Sequence, residues 1–349
     1  MRLLVAALLA ALLLAGCANS GASSPSAAGA PAATAPAATA PAAGAPATSA
    51  PFYLEAGWET VSVINGFTGH TEATIAAPHW AGSFPWVGHT TWYPCGAAPD
   101  DRTFLLCGAK QYEELRLGDD GKPQWTSAPA DIPVAARNTG SNGDPEFAVS
   151  AGAQFAAVTT ATGEIMVLSL VTGATRSWTI PAGDGNATGL SWAGNRYLAF
   201  QFAPASPSRD SGAGGVRVLD TQSAGTAALT ASRLIIGTDR KLAGRIIGVF
   251  NPVITPDGSK IVAAAWTGFL VAELAEFSAQ TGRLIAVLMP AAHMPGSGSP
   301  CQVLWTDSSG AHLIAYCGTA GVVNGTRFTP VHLHVPDTSG TDYTGVLLW

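Results

Sequence analysis

Apolar residues after position 51 occur in short runs, and glycine, proline, aspartate or serine bounds each run. Short apolar runs between turn residues are typical of β-strands. No stretch keeps the 3.6-residue period of an amphipathic helix. The sequence therefore predicts an all-β fold with almost no helix, and its clearest strands are residues 165–170, 197–200, 260–263 and 284–288.

A glycine-containing turn recurs between these runs. Glycine suits such turns because hairpins often need a positive φ, which other side chains resist. The turn glycines are separated by 52, 52, 52 and 57 residues, at Gly69, Gly121, Gly173, Gly225 and Gly282.

A second kind of hairpin alternates with the first along the chain, with its turn at residues 100–102, 151–152, 194–195, 256–258 and 308–310. Two hairpins per period make four strands, and a period of about 50 residues with four strands is typical of a β-propeller blade. Residues 52–349 number 298, and 298/52 = 5.7, which predicts six blades. Seven thinner blades, or an open pair of sandwiches, are the alternatives.

An apolar-x-Trp pattern ends three of the expected innermost strands, at Trp192, Trp305 and Trp349. If the last of these ends an innermost strand, residues 52–55 form the strand that follows it. We therefore expect the C-terminal strand to pair with the N-terminal blade and close the propeller.

These segments resemble the TolB and WD40-like propellers of exported bacterial proteins. The resemblance is carried by Leu190-Ser191-Trp192-Ala193-Gly194-Asn195-Arg196-Tyr197-Leu198-Ala199-Phe200 and by Thr255-Pro256-Asp257-Gly258-Ser259-Lys260. It implies a propeller architecture and a tendency toward binding, and it implies no catalytic residues.

The N-terminus carries a separate signal. Residues 3–14 are uniformly apolar, a length that suits a signal peptide and is shorter than the roughly 20 residues of a membrane-spanning helix. The following Leu14-Ala15-Gly16-Cys17 resembles the lipobox of bacterial lipoproteins. That resemblance implies a signal peptide over residues 1–16 and a lipid on Cys17 that holds the protein on the extracytoplasmic face of the cell membrane. Ordinary secretion is the alternative.

Residues 18–51 contain only Ala, Pro, Gly, Ser, Thr and one Asn. Such a segment cannot bury enough apolar surface to offset the entropy of ordering it. We therefore expect residues 17–51 to be the lipidated cysteine and a disordered linker, and residues 52–349 to be the propeller domain.

Four cysteines follow Cys17, an even number that supports two disulfides in an exported chain. Three pairings are open. Local pairing is favoured because Cys95 with Cys107, and Cys301 with Cys317, each bracket a predicted hairpin. The formal charge of −6 argues against a nucleic-acid partner, which normally requires a basic surface.

The connection between the first two blades is rich in aromatic residues and histidine. We expect Trp80, Trp86, His89 and Trp92 to form a ligand-binding rim, because connections between blades open onto the mouth of a propeller channel. The alternative is that these tryptophans fill space between blades.

No catalytic, nucleotide-binding or metal-binding motif is present, and no cofactor or metal is expected. His332 and His334 fall on one face of a predicted strand without a third ligand nearby. The leading hypothesis is a non-catalytic binding or scaffold module for a protein or cell-wall ligand. The alternative is an exported glycan-acting hydrolase or lyase, whose carboxylates would come from Asp131, Glu146, Asp184 and Asp220.

Overall fold

A computed structural model describes residues 52–56, 60–65, 68–76, 93–100, 102–108, 110–126, 128, 130–136, 147–205, 214–237, 248–266, 272–289, 302–306, 312–316, 320–324, 327–330 and 347–348. The chain divides into two units, residues 1–48 and 49–349, and every described residue belongs to the second.

The first three sheets are antiparallel and follow one another along the chain. Sheet 1 has the order β25 (Leu347–Leu348), β1 (Phe52–Ala56), β2 (Thr60–Asn65) and β3 (Thr71–Ala76). Sheet 2 comprises β4 (Tyr93–Ala97), β5 (Thr103–Cys107), β6 (Gln111–Leu117), and the short β7 (Pro123–Trp125) and β8 (Ala130–Asp131), which both pair with β6. Sheet 3 comprises β9 (Phe147–Val149), β10 (Phe155–Thr159), β11 (Ile165–Ser169) and β12 (Thr175–Trp178).

Three further four-stranded sheets complete the described strands. Sheet 4 comprises β13 (Gly185–Ala193), β14 (Tyr197–Pro204), β15 (Gly215–Asp220) and β16 (Ser232–Gly237). Sheet 5 comprises β17 (Gly248–Ile254), β18 (Lys260–Trp266), β19 (Ala272–Ser278) and β20 (Leu284–Met289). Sheet 6 comprises β21 (Gln302–Thr306), β22 (His312–Tyr316), β23 (Ala320–Asn324) and β24 (Arg327–Pro330).

Helix is nearly absent from the described residues. One four-residue helix, α1 (Ala228–Ala231), and two 3-10 turns at Val134–Ala136 and Ala151–Ala153 interrupt the strands. No helix in this part of the chain has the length and hydropathy needed to cross a membrane. The prediction of an all-β fold is confirmed.

The first strands of successive sheets lie against one another. β25 contacts β4, β9 contacts β13, β13 contacts β17, and β17 contacts β21. β4 and β9 go further and form a parallel pair, which joins sheets 2 and 3 into one nine-stranded sheet. Each sheet after the first therefore begins beside the first strand of its predecessor.

The two ends of the described domain share sheet 1. Leu348 pairs with Leu54 and Leu347 with Glu55, so β25 is antiparallel to β1. The strand nearest the C-terminus thus extends the sheet formed by the first three strands.

Three of the five repeated hairpin turns, those at Gly69, Gly173 and Gly282, share one hydrogen-bonding scheme. In the turn after β11, the Thr172 N–H donates to Ser169 Oγ at 3.2 Å, and Thr172 Oγ1 accepts the Ala174 N–H at 3.3 Å. Gly173 follows with φ of 72°, and Gly69 and Gly282 occupy the same position with φ of 68° and 65°.

Gly225 departs from this scheme, and the expectation of a positive φ there is wrong. It is absent from the positive-φ glycines of the described residues, and α1 intervenes before β16. The longer connection reverses the chain over more residues, so it does not need one residue in the left-handed region.

Five clusters of buried apolar side chains fill the spaces between successive sheets. The aromatic core lies between sheets 3 and 4 and includes Trp178, Trp192, Leu198, Phe200 and Phe202. The alanine core lies between sheets 4 and 5 and includes Ala193, Ala199, Ile254, Ala263, Ala265, Ala275 and Ala279. Alternation along β14 explains the division, because Leu198 and Phe200 face sheet 3 while Ala199 faces sheet 5.

Candidate functional site

Most residues nominated from the sequence lie outside the described residues. These are Cys17, Trp80, Trp86, His89, Trp92, Cys301, Cys317, His332 and His334. The aromatic rim between the first two blades therefore stays a prediction.

The predicted local disulfide in sheet 2 is present. Cys95 on β4 and Cys107 on β5 are bonded, with their Cα atoms 5.7 Å apart. Both residues are buried in the cluster between sheets 2 and 3. The bond therefore ties the first strand of sheet 2 to the second from within this cluster.

Hydrogen bonds align the sheets position by position. In sheets 3, 4 and 5, the residue after the third strand donates its N–H to the carbonyl of the residue before the second strand. The three bonds run from Leu170 to Gln154, from Thr221 to Arg196 and from Ala279 to Ser259. The second strands therefore begin at equivalent positions, Phe155, Tyr197 and Lys260. The register of the first strands then makes Trp192 in sheet 4 equivalent to Ile254 in sheet 5.

Trp192 fills the edge of the space between sheets 3 and 4. Its ring stacks on Phe155 with centroids 6.1 Å apart, and its Nε1–H donates to the Ala148 carbonyl at 2.9 Å. The indole is 2% exposed. This edge of the aromatic core is therefore covered by a large side chain with a satisfied polar atom.

The corresponding edge between sheets 4 and 5 is open. Ile254 stands where Trp192 stands in the preceding sheet, and a cavity of about 240 Å³ lies beside it. Tyr197, the counterpart of Phe155, borders the cavity and is 40% exposed. The change from tryptophan to isoleucine thus leaves an aromatic ring facing an unfilled groove, which we call the 4/5 groove.

The floor of the 4/5 groove is apolar and its rim is polar. Val218 and Ile254 contribute to the floor, and Asp220, Arg233 and Gln280 contribute to the rim. A small cleft with an apolar base and a few converging polar groups is the usual form of a ligand site.

Asp220 and Arg196 form a two-point ion pair at the rim. Arg196 Nε donates to Asp220 Oδ1 at 3.0 Å, and its terminal nitrogen donates to Oδ2 at 2.7 Å. These bonds lower the pKa of Asp220 below its usual value, although partial burial opposes the change. The same pairing raises the pKa of Arg196. The carboxylate at the groove is therefore ionised at neutral pH and held in one orientation.

Arg196 also shapes the aromatic wall. Its guanidinium carbon lies 5.1 Å from the centre of the Tyr197 ring, a distance at which a cation is attracted to the π face. Arg196 therefore contacts both the Asp220 carboxylate and the ring of its chain neighbour Tyr197.

Arg233 reaches from sheet 4 to the last hairpin turn of sheet 5. Its guanidinium donates to the carbonyls of Gln280 at 2.6 Å and Ala279 at 3.2 Å. Among the described residues it has no ion-pair partner. Two of the five N–H donors of a guanidinium are used in this way, which leaves three for solvent or a ligand.

The carboxylates considered for acid-base chemistry do not assemble in the described residues. Asp220 is the one that lines the groove, and its partner is an arginine. Asp131 accepts from Gln111 at 3.3 Å, and Glu146 lies outside the described residues. No set of three His, Cys, Asp or Glu side chains in the described ranges has the geometry of a metal site.

Sequence reasoning missed Tyr197, Arg196 and Arg233 as site residues. Aligning the repeats on their turns places Val149, Trp192 and Ile254 at one position of sheets 3, 4 and 5, so the alignment alone does not mark position 254. Ile254 becomes informative only when the facing sheet is known, because the facing residue that its side chain fails to cover is Tyr197.

The fold and the groove define an all-β protein of successive four-stranded antiparallel sheets with a small cleft between two of them. No protein-family model matches the chain, and no curated protein matches it. Among solved structures it is similar to TolB from Acinetobacter baumannii, with 11% sequence identity over 85% of this chain and a TM-score of 0.43. The chain spans 64% of the length of that TolB chain.

Proposed function

We propose that this chain is a lipid-anchored binding module on the outer face of the cell membrane. Its six sheets are the blades of a β-propeller, and the 4/5 groove holds a ligand. The observation that carries the proposal is the groove itself, in which an exposed tyrosine and an oriented carboxylate adjoin an unfilled apolar space.

The six-bladed arrangement is supported by the contacts of the first strands and by the pairing of β25 with β1. Removing residues 347–349 deletes that pairing, so we expect the truncated domain to unfold at a lower urea concentration. A double variant, Leu347→Ala with Leu348→Ala, keeps the backbone and serves as the control. Equal stability of the truncated and full-length domains would rule out closure by this strand.

Lipid anchoring through Cys17 follows from the sequence Leu14-Ala15-Gly16-Cys17. In a native host the wild-type protein should sediment with membranes, and the Cys17→Ser protein should not. Mass analysis of the mature N-terminus gives an independent reading. An unacylated product that begins at another residue would contradict the lipid anchor but would say nothing about ligand binding in the 4/5 groove.

A second disulfide, Cys301–Cys317, is part of the proposal. It is supported by sheet 6, in which Gln302 pairs with Tyr316, so the two cysteines are the next residues outward from a paired rung. Non-reducing peptide mapping of the exported protein should yield this crosslinked pair alongside Cys95–Cys107. Free thiols at both positions would disprove the second bond.

Binding at the groove is tested by placing a photocrosslinking amino acid at Tyr197 in the full-length, membrane-anchored protein. The matched control carries the same amino acid at Val171, a 78% exposed residue in the turn between β11 and β12. We expect a reproducible adduct, protein or glycan, from position 197 and none from position 171. Indistinguishable adducts from both positions, or none, would refute a ligand in the groove.

A further inference from the structure

The 4/5 groove combines an aromatic surface with polar groups that already have hydrogen-bond partners within the protein. Asp220 is matched by Arg196, and Arg233 is held by two backbone carbonyls. A ligand therefore does not need to carry a charge to satisfy the site. What remains available is hydrogen bonding, with carboxylate oxygens as acceptors and guanidinium N–H groups as donors.

A hydroxyl group suits this combination because it donates through its hydrogen and accepts through its lone pairs. Neighbouring hydroxyls on one ring can donate to Asp220 and accept from Arg233 together. The floor of the groove favours apolar ligand groups. Val218, Ile254 and the partly exposed ring of Tyr197 would pack against a ligand surface made of C–H groups. The negative face of an aromatic ring attracts such hydrogens.

The volume of the cavity limits the size of the ligand. The cavity of about 240 Å³ is smaller than the pockets of drug-sized ligands, which begin near about 300 Å³. It has room for one six-membered ring rather than for a long chain. A pyranose has the required shape, with C–H groups on its faces and hydroxyls around its edge.

We infer that the 4/5 groove is a binding site for one pyranose ring of an uncharged saccharide, packed against Tyr197 and hydrogen-bonded to Asp220 and Arg233. This inference rests on the proposed binding function and specifies the ligand class of the same site. The preceding 3/4 space cannot serve in this way because Trp192 covers Phe155.

The test uses the full-length protein and defined probes: the methyl glycosides of glucose, mannose and galactose, N-acetylglucosamine, and glucuronate as a charged counterpart. Binding is followed by saturation-transfer NMR and by titration. We expect at least one neutral probe to bind more tightly than glucuronate.

Two variants examine the site. Ile254→Trp restores the residue found at the equivalent position of sheet 4 and should fill the groove. Tyr197→Leu removes the aromatic surface. Each should weaken binding of the neutral probe about tenfold or more, equivalent to about 1.4 kcal/mol. Ile285→Trp is the matched control because it adds the same side chain at a residue that is 52% exposed.

The outcomes separate this inference from the proposed function. If no neutral probe binds, or glucuronate binds best, while the photocrosslinker at Tyr197 still captures a ligand, the saccharide class is wrong and the binding site stands. If a neutral probe binds all variants equally, the saccharide site lies elsewhere and the inference fails. Should Ile254→Trp fail to fold, Tyr197→Leu decides the matter. Loss of both probe binding and crosslinking would remove the proposed function as well.

Discussion

The two central inter-sheet spaces are built from the same repeat and filled in opposite ways. Between sheets 3 and 4, four large aromatic side chains are buried, and one of them, Trp192, covers the edge. Between sheets 4 and 5, most of the buried residues on the equivalent strands are alanine, valine or isoleucine. The second strands are aligned in the same way in both places, and the side chains that meet across each space differ.

This contrast shows how a repeat architecture acquires a site. A protein interior is packed nearly as densely as an organic crystal, so alanine-lined sheets fill their shared interior by approaching closely. At the edge of this space, the small side chains do not reach across. The cavity lies there, beside Ile254, and its polar rim includes Asp220, which stands where the aromatic core has Ser169.

The largest expected effect comes from the aromatic core. Trp192→Ala removes the stack on Phe155 and the hydrogen bond to Ala148, and it leaves a cavity. We expect the free energy of unfolding to fall by about 3 to 5 kcal/mol. Urea denaturation checks this value, with Trp125→Ala as the control, since Trp125 is 41% exposed on a short edge strand. A loss no greater than that of the control would mean that Trp192 does not support the core.

The alanine core should respond to the opposite change. Ala263 is fully buried on β18, and Ala263→Leu inserts three carbon atoms into the alanine core. Overpacking of this kind typically costs about 1 to 3 kcal/mol. Ala161→Leu, in the exposed turn between β10 and β11, is the control. If Ala263→Leu leaves stability unchanged, the sheets are not in close contact, and close packing of alanines does not explain the groove.

The strand order of the fold was largely predictable from the sequence, for a local reason. A hairpin turn such as Ser169 to Gly173 is specified by its own residues, because the serine, threonine and glycine satisfy one another. Period-two alternation then fixes which residues share a face. The φ of Gly225 was predicted wrongly because the helix that follows it reverses the chain over more residues than a tight hairpin turn does.

The groove was not predictable in the same way. Position 254 is an ordinary strand isoleucine, and nothing in its neighbourhood along the chain marks it. Its significance depends on Tyr197, which is 57 positions away and belongs to the facing sheet. The sequence also favours Trp80, Trp86, His89 and Trp92 by their aromatic composition and their place between two expected blades, whereas the cavity depends on a small side chain facing Tyr197.

We expect a smaller effect on the free energy of unfolding from two arginines that donate hydrogen bonds to the next sheet. Arg176 donates to the carbonyls of Thr221 and Ser223 in the next sheet and lies 4.6 Å above the Trp178 ring. Arg233 makes the equivalent bonds one sheet later but is exposed beside the groove.

We therefore expect Arg176→Met to cost about 1 kcal/mol and Arg233→Met to cost less, because hydrogen bonds to a charged group count for more where water is excluded. Methionine keeps an apolar stem in both variants. Chemical denaturation compares the two directly. A greater loss from Arg233→Met would indicate that the 4/5 interface depends on polar contacts more than on its alanines.

The smallest expected effect is on the pH dependence of folding stability. We expect this effect at the 4/5 groove and not at the aromatic core, because the aromatic core has Ser169 where the groove has Asp220. Arg196 lowers the pKa of Asp220 in the folded protein, so the pair contributes stability above the unfolded pKa of about 3.9 and loses it as the pH falls through the folded pKa. Asp220→Asn should flatten the acid limb of the stability profile slightly, and Arg196→Gln should flatten it by a similar amount. Because one interaction is removed in either case, the double variant should add almost nothing further. Additive effects of the two substitutions on acid unfolding would show that the two groups act separately, and the fixed orientation of the carboxylate at the groove would then lose its basis.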